Sequence, residues 1–135
     1  MIRVDKVGDV LRGLVLDYAG VLTDPDAGEL LVVVDVLRGR GVRTALLSNA
    51  DGGAGRGRLT GHFDAFVFSG EVGIAKPDPR VFRLTAERLD LPVATCVMVD
   101  DSRANIDGAT AAGMVGVHHT SMTDTLAELS ALFPA

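Results

Sequence analysis

The chain has 135 residues, a length that suits one ordinary domain and is too short for two. Its composition is 47% hydrophobic and 23% charged, with sixteen glycines and few aromatic residues, which excludes disordered, collagen-like and coiled-coil chains. The formal net charge is −5, so nucleic acid is not expected as a partner. The lone Cys96 excludes a disulfide framework and a cysteine-rich zinc site.

The sequence shows no targeting or membrane segment. The first residues mix charged with apolar side chains and lack the unbroken apolar stretch of a signal peptide. The longest strongly apolar stretch, residues 30–37, is interrupted by Asp35 and is far too short to cross a membrane. We therefore expect a single cytoplasmic domain over residues 1–135, with no membrane partner.

Five short apolar runs divide the chain, and each ends in small, polar or acidic residues. Uninterrupted runs rich in β-branched residues are typical of strands that are buried on both faces. Cys96 lies in the fourth run and is therefore expected in the core. The predicted strands cover residues 14–16, 42–47, 65–68, 96–99 and 114–117.

Helical patterns lie between the predicted strands. Three of them follow a capping residue, at Asp78, Ser102 and Ser121. Residues 29–40 have the composition of a strand, but their place between two strands and the glycines at the end favour a helix. Strands that alternate with helices predict an α/β fold with a mainly parallel sheet.

The glycine-rich stretch of residues 52–57 superficially resembles a phosphate-binding loop. It has no Gly-Lys-Ser/Thr ending, and its glycines do not open an obvious helix. We predict a flexible loop there.

Chemically active side chains follow the predicted strands. Because the site of a parallel α/β sheet lies beyond the carboxyl ends of its strands, we expect these side chains to meet. Carboxylates gathered in one cleft repel each other and need a hard cation, for which Mg²⁺ is the default. A divalent ion, an ammonium and a hydroxyl together bind a phosphoryl group, and a carboxylate beside that group can attack phosphorus. The candidates are Asp17, Ser48, Lys76, Asp100 and Asp101.

Each candidate alone has a structural explanation. Asp17 can cap a turn, Lys76 can be a solvated loop residue, and Ser48-Asn49 suits the turn after a strand. Adjacent aspartates after a buried strand are harder to explain, because one acid suffices as a cap. The receiver domain of a response regulator combines similar groups, but its acidic pair follows the first strand and its lysine follows the last. The order in this chain excludes that class.

Four segments resemble, in order, the four motifs of the haloacid dehalogenase superfamily, most closely its phosphatases and phosphatase-like domains with a KPDP motif. The resemblance covers nearly all of residues 14–113 and implies a three-layer α/β/α sandwich. It also implies a Mg²⁺-dependent phosphohydrolase that forms an aspartyl phosphate. The segments are LVLDYAGVLTD, TALLSNAD, SGEVGIAKPDPRVF and VMVDDSRANIDGATAAG.

The resemblance assigns roles around the phosphoryl group. Asp17 is the nucleophile, and Ser48 and Lys76 are catalytic residues that bind the phosphoryl oxygens. Asn49 joins Ser48 and Lys76 in binding the substrate. Lys76 also screens the carboxylates from one another.

The resemblance also implies the Mg²⁺ ligands. They are Asp17, the main-chain carbonyl of Ala19, and the acidic pair. Asp101 is the more direct ligand of the pair, and Asp100 is a second ligand or supports the first. Asn105 is expected to orient the pair or Lys76, or else to face the start of its helix.

The chain departs from the family at Ala19, where phosphatases carry an aspartate that acts as general acid and base. A positioned acid/base contributes roughly 10²–10⁴ in rate, so hydrolysis of alkyl phosphates should suffer most. Phosphonoacetaldehyde hydrolases tolerate alanine there but need a further lysine in a cap. Dehalogenases lack the second aspartate but do not usually carry the acidic pair.

The chain is also too short between its motifs to hold a cap domain. The site is therefore expected to be open to phosphorylated small molecules or to a phosphoryl group on a larger partner, unless a second subunit of a homo-oligomer covers it. Two hypotheses follow: a slow phosphohydrolase, or an impaired module for binding or assembly. His118 and His119 are expected at the surface or sheet edge rather than on a metal.

Overall fold

The computed structural model describes residues 10–53 and 56–135. Within them, five strands form one parallel sheet in the order β3-β2-β1-β4-β5. The first strand is therefore central, and the chain crosses over from one half of the sheet to the other between β3 and β4. The strands are β1 (Gly13–Leu16), β2 (Arg43–Ser48), β3 (Ala65–Phe68), β4 (Cys96–Asp100) and β5 (Val115–His118).

Helices follow the strands along the described chain. A wide π-type turn, Tyr18–Leu22, lies directly after β1, and 3₁₀ turns lie at Thr60–His62 and Val93–Thr95. The α-helices are α1 (Ala27–Gly39), α2 (Arg56–Leu59), α3 (Ser69–Val72), α4 (Pro79–Arg88), α5 (Arg103–Ala112) and α6 (Met122–Leu132).

The sheet is the middle of three layers. Alternate strand residues face opposite sides, so Leu14 and Leu16 pack with α1 and α6 while Val15 packs with α4 and α5. Both faces are apolar and buried, which explains why the strands read as continuous apolar runs. The structure confirms the predicted α/β/α sandwich, and it confirms that Cys96 is in the core.

Helix α1 confirms the helix predicted over residues 29–40, although it begins earlier. Its inner face has the expected helical spacing, Leu30, Val34 and Leu37. Val32 and Val36 are 62% and 48% exposed, and these outward valines hid the amphipathic pattern in the sequence.

The predicted caps are confirmed. Asp78 accepts a hydrogen bond from the N–H of Arg80, and Ser102 and Ser121 accept from the residue three positions on. The prediction of a loop over the glycine-rich residues 52–57 was wrong at the end of that stretch, because α2 begins at Arg56. Two residues of that stretch, 54 and 55, lie outside the described residues, and its flexibility stays a prediction.

The absence of a cap domain is confirmed for the described residues. Only the π-type turn and α1 separate β1 from β2, and only short helices and β3 lie between β2 and the loop of Lys76. No described helix has the length and hydropathy that a membrane span requires.

Candidate active site

The sheet order brings the predicted site residues together. Strand β1 lies between β2 and β4, so the residues at their carboxyl ends are neighbours. Asp17 follows β1, Ser48 is the last residue of β2, and Asp100 is the last residue of β4. The long loop before α4 brings Lys76 to the same edge.

Lys76 lies between two buried carboxylates. Its Nζ donates to Asp17 Oδ1 at 2.7 Å, to Asp100 Oδ2 at 2.8 Å and to the main-chain oxygen of Leu47 at 3.0 Å. The lysine side chain is only 1% exposed. All three donors of the ammonium are therefore used, and the lysine screens the two acids from one another.

Asp17 is the residue whose acidity the site changes most. Burial raises the pKa of its carboxyl from 3.8 to about 6, against the ammonium of Lys76, which lowers it. The Asp100 carboxylate raises the pKa further, and the main-chain N–H of Tyr18 lowers it. With this pKa the group is still mostly ionised at pH 7, as its predicted role as a nucleophile requires.

Asp100 is held from several sides. Its Oδ1 accepts from the N–H of Ser102 at 2.9 Å, and its Oδ2 accepts from Asn105 Nδ2 at 3.1 Å as well as from Lys76. Asn105 thus contacts the acidic pair, which was one of its three expected positions. The neighbouring Asp101 is exposed.

Three carboxylates converge on one point at the edge of the sheet. One oxygen each from Asp17, Asp100 and Asp101 lies within 4.8 Å of the other two, a spacing that a metal ion can bridge. Gly20, in the turn after Asp17, has a φ of +81°, and a Cβ at this position would collide with the Asp101 carboxylate. The turn therefore passes directly against this cluster, and the metal role of the Ala19 carbonyl stays a prediction.

The side chains of Ser48 and Asn49 differ in their hydrogen bonds. Ser48 is buried, and within the described residues its hydroxyl has no hydrogen-bond partner, although it is not sealed from solvent. The Asn49 side chain donates to the Lys76 carbonyl at 3.0 Å and accepts from the Lys76 N–H at 2.9 Å. Its amide therefore holds the lysine loop, and its predicted contact with substrate would use the main chain.

The helix after β4 supports the same loop. A Cβ on Gly108 of α5 would collide with the main-chain oxygen of Pro77, the residue after Lys76. A glycine at this position lets the helix and the lysine loop approach each other closely.

The two histidines after β5 have different positions. His118 is partly exposed, as expected, and its Nε2 lies 2.9 Å from the main-chain oxygen of Asp101. The expectation for His119 was wrong in part, because it is only 5% exposed and contacts both Asp24 and Thr125. A polar residue at a strand end suggests an exposed edge, and nothing local in the sequence indicates partners so distant along the chain.

Two arginines of α2 contact residues that lie in or after β1 and β3, and they were not singled out from the sequence. Arg58 donates to the hydroxyl of Tyr18, the residue after Asp17, at 3.3 Å. Arg56 pairs with Glu71 at 3.1 Å and lies 4.8 Å over the ring of Phe68. The segment between β2 and β3 thus contacts the segments that follow β1 and β3.

Comparison with known proteins agrees with this α/β fold. The profile of the haloacid dehalogenase-like hydrolases matches residues 14–113. This chain belongs to that family of hydrolases. A phosphoserine phosphatase of Thermus thermophilus is 38% identical over 86 residues, which are 59% of this chain and 34% of that protein. The chain therefore spans about a third of that relative.

Solved structures show the same architecture. An uncharacterized protein from Corynebacterium glutamicum has a TM-score of 0.85 at 38% identity, over 91% of this chain and 95% of that one. A family enzyme from Bacteroides thetaiotaomicron, in complex with magnesium and inorganic phosphate, has a TM-score of 0.61 at 19% identity, over 73% of this chain and 56% of that one. The second likeness shows the fold alone.

Proposed function

We propose that this chain is a Mg²⁺-dependent phosphohydrolase that forms an aspartyl phosphate on Asp17 and is slow because Ala19 replaces a proton donor. One observation supports this most: the Lys76 ammonium lies between the Asp17 and Asp100 carboxylates, at the edge of the sheet where β2 ends in Ser48. A cation beside an ionised carboxylate, with a hydroxyl donor at the same edge, is the set of groups that phosphoryl transfer to that carboxylate requires.

The donor set fits Mg²⁺. Three carboxylates meet one ammonium, so the cluster keeps an excess of negative charge that a hard cation would neutralise. Asp17, Asp101 and the main-chain carbonyl of Ala19 would hold the ion, with Asp100 as a further ligand or support. When bound, the ion would supply charge stabilisation to the phosphoryl oxygens.

The chain's own residues would act as follows. An Asp17 oxygen forms a bond to phosphorus while the bond from phosphorus to the leaving oxygen breaks, and the electron pair goes to that oxygen. Ser48 holds one non-bridging oxygen, and Lys76 exchanges one of its three hydrogen bonds to protein oxygens for a bond to another. Water then attacks phosphorus, the bond from phosphorus to the Asp17 oxygen breaks with its electron pair going to that oxygen, and phosphate leaves while the water proton passes to solvent. Ala19 has no proton to give the leaving oxygen and cannot accept one from the water.

This deficit indicates the substrate class. The leaving groups of acyl and aryl phosphates depart as stable anions and need no proton. The leaving oxygen of an alkyl phosphate needs one. The open edge of the sheet suits phosphorylated small molecules or a phosphoryl group on a larger partner. A homo-oligomer and a cytoplasmic location remain predictions; the single, buried Cys96 supports the latter.

The proposal is tested by the variant Ala19→Asp. We expect alkyl-phosphate hydrolysis to rise by about 10²–10⁴, with a smaller rise for acyl and aryl phosphates, because only leaving-group protonation separates these substrates. The measurement is kcat/KM for one substrate of each class, with and without Mg²⁺.

The matched control is Ala19→Asn, which has the same shape but transfers no proton and should gain nothing. An Ala19→Asp protein that folds and binds Mg²⁺ yet gains no activity on any phosphate contradicts the phosphohydrolase. It would favour the second candidate, a module that binds a phosphoryl group without turnover, which the alanine itself supports.

A further inference from the structure

We propose that His119 is a positioning residue, which fixes the turn after the nucleophile against the acidic pair Asp100-Asp101. The expected effect on Mg²⁺ binding rests on the proposed function, whereas the contacts of His119 do not depend on it. The imidazole lies 2.7 Å from Asp24 Oδ2 and 2.6 Å from Thr125 Oγ1. Its main-chain N–H donates to the oxygen of Asp100 at 2.8 Å.

The chemistry of the partners fixes the roles of the two ring nitrogens. A carboxylate only accepts hydrogen bonds, so Nε2 carries the hydrogen that is donated to Asp24. In the neutral ring Nδ1 then accepts the hydroxyl proton of Thr125, which is itself buried. Both ring nitrogens are used, and His119 joins β5, α6 and the segment after β1.

The Asp24 contact is connected to the site through the turn. Thr23, the residue before Asp24, accepts the N–H of Gly20 on its Oγ1 at 2.9 Å. Gly20 in turn passes so close to the Asp101 carboxylate that a Cβ there would collide with it. A displacement of Asp24 is therefore transmitted to Gly20 and to the adjacent Ala19.

The other side of the cluster is held by the neighbouring histidine. His118 donates from Nε2 to the main-chain oxygen of Asp101 at 2.9 Å. The two consecutive histidines thus hold the turn after Asp17 and the acidic pair in a fixed position relative to each other. Both lie beyond residue 113, where the family match ends, so this support is not part of the matched motifs.

A second histidine–aspartate pair provides a control for a merely structural role. His62 Nδ1 lies 2.7 Å from Asp35 Oδ1. His62 follows α2 and precedes β3, and Asp35 is in α1, so the pair lies before a strand rather than beyond the carboxyl ends. Its loss should lower stability without reaching the site.

The experiment compares His119→Gln, His119→Asn and His62→Asn. The glutamine amide reaches the place of Nε2 and can keep the bond to Asp24, whereas the asparagine amide reaches only the place of Nδ1. We expect His119→Asn to weaken Mg²⁺ binding in calorimetry by about tenfold or more, and His119→Gln to restore most of it. His62→Asn should leave the Mg²⁺ affinity unchanged.

A second readout needs no metal. In the metal-free protein, exchange of the Gly20 amide hydrogen should be faster in His119→Asn than in the wild type, and unchanged in His62→Asn. If His119→Asn does not fold, Asp24→Ala at the half-buried end of the same contact replaces it. The inference is overturned if the Gly20 amide exchanges at the same rate in the wild type and in His119→Asn. It is also overturned if His62→Asn changes Mg²⁺ affinity and Gly20 exchange as much as His119→Asn does. Failure of the wild type to bind Mg²⁺ counts against the proposed function alone.

Discussion

Burial of Asp17 beside one cation and a second acid gives this residue a distinctive acid–base behaviour. Its pKa is raised in the folded chain from 3.8 to about 6, so the folded state binds the proton more tightly than the unfolded state. The contribution of Asp17 to stability is therefore most favourable below pH 4, falls between pH 4 and 6, and is least favourable above pH 6.

This behaviour predicts the effect of Asp17→Asn in the absence of divalent metal. Above pH 6 the variant should be more stable than the wild type, by about 1–3 kcal/mol, because the unfavourable charge is gone. The difference should disappear near pH 4. Urea unfolding in a chelating buffer at several pH values measures it.

The control for Asp17→Asn is Asp107→Asn on the exposed side of α5, which should show no such pH-dependent gain. If the wild type is more stable than Asp17→Asn at pH 8, then Lys76 compensates the Asp17 charge fully.

Which residues of the site could be predicted depended on where they lie. Asp17, Ser48 and Asp100 are at strand ends, and a parallel sheet brings strand ends together, so their proximity followed from the pattern. The hydrogen bonds between the Asn49 side chain and the Lys76 main chain depend on loop geometry, and so does the burial of His119. Contacts between loops distant along the chain leave no periodic signal in the sequence.

At the scale of elements, helix α5 supports the site from outside. Its first turn contains Asn105, which donates to Asp100, and its middle contacts the lysine loop through Gly108. The helix thus connects the acidic pair and Lys76 from behind.

We expect Gly108→Ala to destabilise the fold by about 1–3 kcal/mol, because the new methyl group would meet the Pro77 main chain. The control is Gly28→Ala in α1, where no atom lies within 4 Å, and where alanine should stabilise the helix by about 0.5–1 kcal/mol. Chemical unfolding of both variants measures the difference. Equal effects in the two would contradict the close approach of α5.

The elements themselves were largely predictable. Five apolar runs gave five strands, because strands buried on both faces need apolar residues throughout. The helix α2 was missed, since its four residues, Arg56–Leu59, are too few to show a period. The start of α1 was placed late, because Gly28 weakens the helical pattern there.

For the whole molecule, a metal ion at the acidic cluster would couple its binding to folding. Mg²⁺ that binds the folded chain alone should stabilise it by about 2.7 kcal/mol at a hundred times its Kd, because it relieves the repulsion among the three carboxylates. Thermal unfolding with and without Mg²⁺ measures the shift in Tm.

The variant Asp101→Ala should abolish that shift, whereas Asp107→Ala should keep it. A wild-type Tm that does not move in millimolar Mg²⁺ would contradict a metal site at this edge of the sheet.

The burial of Lys76 also affects whether a substrate could modify this residue covalently. Acyl phosphates, a proposed substrate class, transfer their acyl group to neutral amines. The three acceptors around Nζ take all the hydrogens of the Lys76 ammonium and leave no side of the nitrogen open to a carbonyl carbon. The arrangement that would bind the phosphoryl group would thereby keep the lysine from being acylated by the molecule it holds.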